Sequence, residues 1–435
     1  MFSALALACA GLGAQAQQLS QSIGDAARVD VLQEARTLSM RDPHARALYL
    51  FIRTNPGVMQ DAEFYVNFLV YLMAQSEDFN CRAAFANEFE RQSFFESAFG
   101  LAPQLTQIVG GVTITQRFDV SFIVPTEKYD FNTAILPLGT PQAVGGEGLL
   151  SGSTYAGGAS RNDPRSCART ILQGTTIDPE AFPWSFQVVK EDGSRGGAQF
   201  PFERKLQLPA SDAQQLFERF GRRLYAIVSY RIQAANDGTR KIQVIPTDGN
   251  LFGLSTDAVV RVRSFAHPSL SQPAPMDITN PLAMTLPDRQ ASMDLSFQQQ
   301  GFRSVGAGTR TGGRTEFSAA RETPIAGSAA VGSSAFIMRL SWPEFTGTSQ
   351  RAQFVTLFGN IDYEAVTQTE APVSGSYSML QWNERSSRYE TTGFSPFSGQ
   401  FRAGDAPEAE EAPAQAAPES QLDTLTIEDI DGAEL

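Results

Sequence analysis

Between residues 64 and 74 the chain reads FYVNFLVYLMA, and on a helical wheel its large side chains point in nearly every direction, with Asn67 the lone polar gap. A helix that is apolar all round is buried on all sides. A run this short does not cross a bilayer, which takes about 20 residues. The pattern therefore predicts a central helix inside a folded core, with Asp61 placed to cap it. Upstream, Asp42-Pro43 supplies an N-cap and a first-turn proline ahead of a helix over 45–53, and Asn55-Pro56-Gly57 stops it. Downstream, a third helix is predicted from Asp78. Cys81, Phe85, Phe89, Phe95 and Phe99 fall within one third of its wheel and read as a core-facing stripe, although Glu88, Gln92 and Glu96 share that arc.

At Gly110 the period changes from that of a helix to that of a strand. In VTITQRFDVSFIV (112–124), Ile114, Phe118, Val120, Phe122 and Val124 alternate with Thr115, Arg117, Asp119 and Ser121, the signature of a half-buried strand. Further strands are predicted over 184–190, 223–234 and 240–245 (joined through Asn236-Asp237-Gly238, a hairpin turn) and 258–265. One helix interrupts them, with Ser211 and Gln214 as a capping box, Leu216, Phe217 and Phe220 as its apolar face, and Gly221 as its end. Residues 267–289 carry five prolines and read as an extended connector. A second β-rich stretch follows, with strands over 293–297, 335–341, 353–359, 376–382 and 389–394; whether it is a separate domain or the return half of one sheet stays open.

These elements predict an α+β protein: an N-terminal helical bundle packed on a larger, mostly antiparallel β body, followed by a disordered tail. The expected segments are 1–16 (signal peptide), 17–105 (helical), 106–266 (β-rich with one helix), 267–289 (connector), 290–402 (second β-rich region) and 403–435 (acidic tail).

Charge sharpens the last of these. The net charge is −13, yet ten acids and no Lys or Arg follow Arg402, so the body before it is close to neutral. The tail's Ala-, Pro- and Glu-rich composition cannot bury a core of its own. Its end, LDTLTIEDIDGAEL, reads as a solvated tail or a short docking motif. No basic stripe with interleaved aromatics is present, so nucleic acid is not an expected partner.

The first residues show an apolar stretch from Phe2 to Leu12 and then Ala14-Gln15-Ala16, the small-x-small pattern cut by signal peptidase, which sets cleavage between Ala16 and Gln17. No Lys or Arg precedes the stretch, and a buried N-terminal helix is the alternative. Cleavage leaves Cys81 and Cys167. An even pair in an exported chain suggests a disulfide closing an 86-residue separation; two buried reduced thiols are the alternative.

Phe79-Asn80-Cys81, the aromatic-rich stretch after it, and Lys128-Tyr129-Asp130-Phe131 entering the apolar 134–138 segment resemble an uncharacterised family of exported bacterial proteins, from Asp61 to Leu138. The resemblance implies export. It implies no activity and no functional residue.

Catalytic patterns are sparse. His44 and His267 are the two histidines, each beside a proline, too few and too far apart for a common metal site. There is no G-x-S-x-G elbow and no S-x-x-K pair. Asp237-Gly238 and Asp248-Gly249 lack the acidic series of a calcium loop. Cys167 lies in RNDPRSCART, where Arg161, Arg165 and Arg169 would favour a thiolate or an anion; a solvated basic loop carrying half of a disulfide is the plainer reading. The sequence thus points to an exported, non-catalytic envelope protein of a Gram-negative-type periplasm, acting as a binding or interaction module on an unknown envelope protein or polymer. No cofactor, no metal and no transmembrane helix in the mature chain are expected. The alternative is a carboxylate-dependent hydrolase of a cell-envelope polymer, with catalytic residues that sequence spacing cannot identify.

Overall fold

A computed structural model describes residues 31–402 apart from 77–78, 82–87, 113, 115, 145–152, 156–162, 198, 236–238, 313–322, 347–348, 362–369, 384–385 and 387. The predicted cleavage site, Arg161, the Asn236-Asp237-Gly238 turn and the acidic tail lie outside the described residues. The chain forms two units. The first gathers 1–116, 147–199 and 231–245; the second gathers 117–146, 200–230 and 246–435.

In the first unit the local helix signals act as read. The Asp42 carboxylate accepts from the His44 backbone N–H and opens α2 (Pro43–Thr54), which follows α1 (Val31–Arg41). Asp61 accepts from the Glu63 and Phe64 backbone N–H groups and opens α3 (Ala62–Ala74), which is buried at every position from Phe64 to Ala74. α4 (Glu88–Phe99) and α5 (Ala102–Gly111) follow. The phenylalanine stripe does not face a core as expected: Phe89 is 78 % exposed and Phe99 45 %, while Phe94 is fully buried. Glu88, on the same arc, is exposed, as a carboxylate has to reach water, and Phe85 of the stripe lies outside the described residues.

These helices are not a self-contained N-terminal bundle. α3 is aromatic on too many sides for its neighbours α1 and α2 to cover, and later chain completes the packing. Phe182 sits against Phe64 and Tyr71 at 5.2 and 5.8 Å between ring centroids, and Phe186 against Phe51 at 6.0 Å. α6 (Pro164–Ile171) is part of the same unit, as is a small sheet in which β4 (Ser153–Tyr155) pairs antiparallel with β5 (Ser185–Val189). β5 in turn pairs parallel with the Lys241–Gln243 part of β8 (Lys241–Leu254). The α+β expectation is corrected accordingly: the described residues are mostly β, 47 % strand against 26 % helix.

The second unit holds most of that strand. Eight staves close into an antiparallel barrel: β10 (Leu282–Leu286), β11 (Ala291–Gln300), β12 (Arg303–Gly312), β13 (Thr323–Val331), β14 (Ala335–Thr346), β15 (Ser349–Ile361), β16 (Glu370–Asn383) and β18 (Ser395–Arg402). Each pairs with its neighbours, and β18 returns to β10 with Leu282 opposite Phe401. β17 (Arg388–Thr391) pairs with the far end of β16, so the last stave is one strand broken at residues 392–394. Residues 267–289, expected as a connector, supply the first stave, and Met276 and Ile278 within them are buried.

Inward positions are apolar at period two: Leu282, Met284 and Leu286 on β10, Met293, Leu295 and Phe297 on β11, Phe336, Met338, Leu340 and Trp342 on β14. Eight staves leave a lumen just wide enough for such side chains to fill. Gly308 on β12 faces Leu295, and a Cβ there would collide with that residue and with the Asp294 carbonyl. Outward positions of β11 are the exposed Ser292, Asp294, Ser296 and Gln298. That is the reverse of a lipid-facing barrel, which is apolar outside and polar within. Among the described residues no helix is long and apolar enough to cross a membrane.

Part of the barrel's outer wall is covered by a second, half-open sheet. There β1 (Arg117–Pro125) pairs with β3 (Gln142–Val144), and β9 (Val259–Ala266) pairs with the later part of β8. Tyr225 and Ile227 of β7 (Arg223–Ala234), with Phe252, Leu254 and Val259, pack on Ala330, Ala335, Ile337 and Phe358 of the barrel. β1 is consequently buried on both faces from Phe118 to Phe122, not half-buried.

Candidate functional site

Where β7 begins, the two sheets of the second unit leave a pocket of about 490 Å³. α7 (Ala210–Phe220) approaches it and ends at Gly221, whose φ of +73° suits glycine. The helix is capped differently from expectation: Pro209 is the N-cap and makes no side-chain cap bond, and the Ser211 hydroxyl donates to Asp212 instead. Directly after Gly221, Arg222 and Arg223 reach the pocket rim. Arg339 enters from the outer face of β14.

Arg222 and Arg339 are held differently. Arg222 donates to the Glu127 carbonyl at 3.0 Å and lies over the Phe217 ring, 4.7 Å from its centroid. Arg339 donates to the Thr356 hydroxyl at 3.1 Å, touches the Tyr225 hydroxyl at 3.5 Å and lies 5.7 Å from the Phe354 centroid. A hydroxyl that accepts from a guanidinium turns its own hydrogen elsewhere, so Thr356 keeps a donor to offer. Thr126 also lines the pocket; its side chain is buried, and its hydroxyl has no partner among the described residues. No Asp or Glu is among the described lining residues. Arginines and hydroxyl donors without a carboxylate are groups that suit an anion, since Arg presents its donors in a fork that matches carboxylate and phosphate oxygens.

The residues singled out from sequence are placed elsewhere. Cys81 and Cys167 form a disulfide, Cα atoms 5.4 Å apart, so Cys167 has no thiolate to offer. RNDPRSCART is helical from Pro164, with Asp163 capping α6. Arg165 and Arg169 both pair with Glu180, the latter at 2.8 Å, which also holds the Glu180 carboxyl below its usual range chiefly through the Arg165 hydrogen bond. Their charge is thus largely answered within the protein. Among the described residues no group of three or more His, Cys, Asp or Glu is placed to hold a metal ion.

Two polar clusters were missed. In the first unit, Tyr71 donates to Asp42 at 2.6 Å, and its oxygen lies 3.3 Å from Nδ1 of His44. Nε2 of His44 lies 3.0 Å from the Pro183 carbonyl, to which it donates. Tyr71 has one hydrogen, and Asp42 receives it; the contact to a neutral His44 therefore carries no proton. Burial lowers the His44 pKa to about 4 against the pull of Asp42, and burial, with the Asp42 charge second, raises that of Tyr71 well above its ordinary value. In the second unit, the buried Asp119 carboxylate accepts from the Ser229 and Ser333 hydroxyls at 2.6 and 2.8 Å and from the Ser334 and Ala335 backbone N–H groups at 2.7 and 3.1 Å. Asp248 is raised in pKa by burial first and by the Asp119 charge as well. Such a pair is what a two-carboxylate hydrolase needs, but Asp119 is saturated with donors and neither residue lines the arginine pocket. No sequence signal marked either cluster.

Comparison with protein-family models, with curated proteins and with solved structures gives no match.

Proposed function

We propose that this protein is an exported binding module, not a hydrolase, and that its ligand carries an anionic group held by Arg222, Arg223 and Arg339. The observation that carries this reading is a pocket lined by three arginines and by no carboxylate among its described lining residues. Like charges lining one pocket repel one another, and a bound anion relieves that cost. Export to a Gram-negative-type periplasm is supported by the small-x-small site at Ala14-Gln15-Ala16, by the resemblance to exported proteins, and by the Cys81–Cys167 bridge, which persists in oxidising compartments.

Phenyl phosphate tests the anion site, and purified peptidoglycan, a cell-envelope polymer, tests for hydrolysis. The full chain is expected to bind phenyl phosphate saturably and to leave peptidoglycan intact, and the mature N-terminus is expected at Gln17. Release of soluble fragments from peptidoglycan, abolished by replacing one carboxylate, would overturn the reading in favour of the hydrolase. Absence of binding at low salt would overturn the anion site itself.

A further inference from the structure

The same pocket has an apolar half that an anion alone does not use. Ile123, Phe220, Phe358 and Leu380 line it beside the arginines. At its margin the last barrel stave is broken. The Thr392 backbone N–H donates to the Met379 carbonyl at 2.8 Å, and the Thr392 hydroxyl accepts from the Met379 N–H at 2.9 Å. This clasp satisfies the ladder across the break and leaves Gly393 and Phe394 outside it. Phe394 packs on Phe358 at 5.9 Å between centroids, yet is 52 % exposed. Thr391, its near neighbour, lines the pocket.

We propose that the ligand is an anionic amphiphile. Its charged head meets Arg222, Arg223 and Arg339, and its hydrocarbon body lies along Ile123, Phe220, Phe358 and Leu380 with Phe394 against its open side. Two features point to it independently. Arginines and hydroxyl donors lining one pocket favour a phosphate, sulfate or carboxylate head. An exposed phenyl ring at the edge of an apolar wall gains burial when a hydrocarbon fills the space beside it. The inference rests on the anion-binding reading and adds the body to the head.

Titration of the full chain with octyl phosphate, inorganic phosphate and neutral octyl glucoside, below any micellar concentration, separates the two claims. Octyl phosphate is expected to bind at least tenfold tighter than inorganic phosphate. Phe394→Ala, an exposed change, is expected to remove several-fold of that advantage and to leave inorganic phosphate unaffected; Leu380→Thr serves as the second variant. Equal affinity for octyl phosphate and inorganic phosphate would overturn the amphiphile and leave the anion site standing. Octyl glucoside binding as tightly as octyl phosphate, with Arg339→Gln changing neither, would overturn both.

Discussion

Asp119 on β1 accepts the hydroxyl hydrogen of Ser229 on β7 at 2.6 Å, and the same carboxylate holds the turn between β13 and β14 through Ser333, Ser334 and Ala335. One buried side chain thereby fastens the half-open sheet to the barrel wall that forms the other side of the arginine pocket. Gly332 lies against it so closely that a Cβ would strike the carboxylate.

Asp119→Ala would leave two hydroxyls and two backbone N–H groups without their acceptor. Each unsatisfied buried group costs about 1–3 kcal/mol, so the variant should lose roughly 3 kcal/mol or more in urea denaturation. Gly332→Ala should be destabilised through the same contact, by about 1–3 kcal/mol for overpacking. A loss under about 0.5 kcal/mol in both would show that the clasp does not hold the sheets together.

What could be read in advance was what is local. The caps at Asp42 and Asp61 and the buried α3 depend on residues within a few positions of one another, and each is as the sequence indicates. Barrel closure depends on β10 meeting β18, more than a hundred positions away, and on β12, whose RSVGAGTRTG places glycines where alternating apolar residues would have announced a strand. The pocket was illegible for the same reason: Arg222 comes from the turn before β7 and Arg339 from β14 of the barrel. Asp119 read as an outward polar position because nothing in its neighbourhood tells that a second layer covers that face.

The His44 network sets a pH dependence. Its folded pKa of about 4 lies below the ordinary histidine value of about 6.5. The unfolded chain therefore binds the proton first, and the stabilising contribution is full above about pH 6.5 and lost as pH falls toward 4. The difference corresponds to roughly 3 kcal/mol. Denaturation at pH 7 and pH 4 should show a steeper loss for the native protein than for His44→Gln, which has no proton to take up. Parallel losses would show that carboxylates alone govern the acid limb.

The disulfide closes a separation of 86 residues within the first unit. Constraining the unfolded chain over that length stabilises by about 4–5 kcal/mol in the chain-entropy account. Cys81→Ser with Cys167→Ser should lower the urea midpoint accordingly, and reductant should have no further effect on that variant. An unchanged midpoint would mean that the bridge adds nothing to stability.

The central claim is that the arginine pocket binds anions, and isothermal titration with phenyl phosphate at low salt, native chain against Arg339→Gln, tests it most directly. Losing one charge-assisted contact of about 1.5–3 kcal/mol should weaken binding roughly tenfold or more, with a comparable loss in the rim variant Arg222→Gln/Arg223→Gln and little change in the urea midpoint of either. Affinity that stays the same in all three proteins would contradict the account.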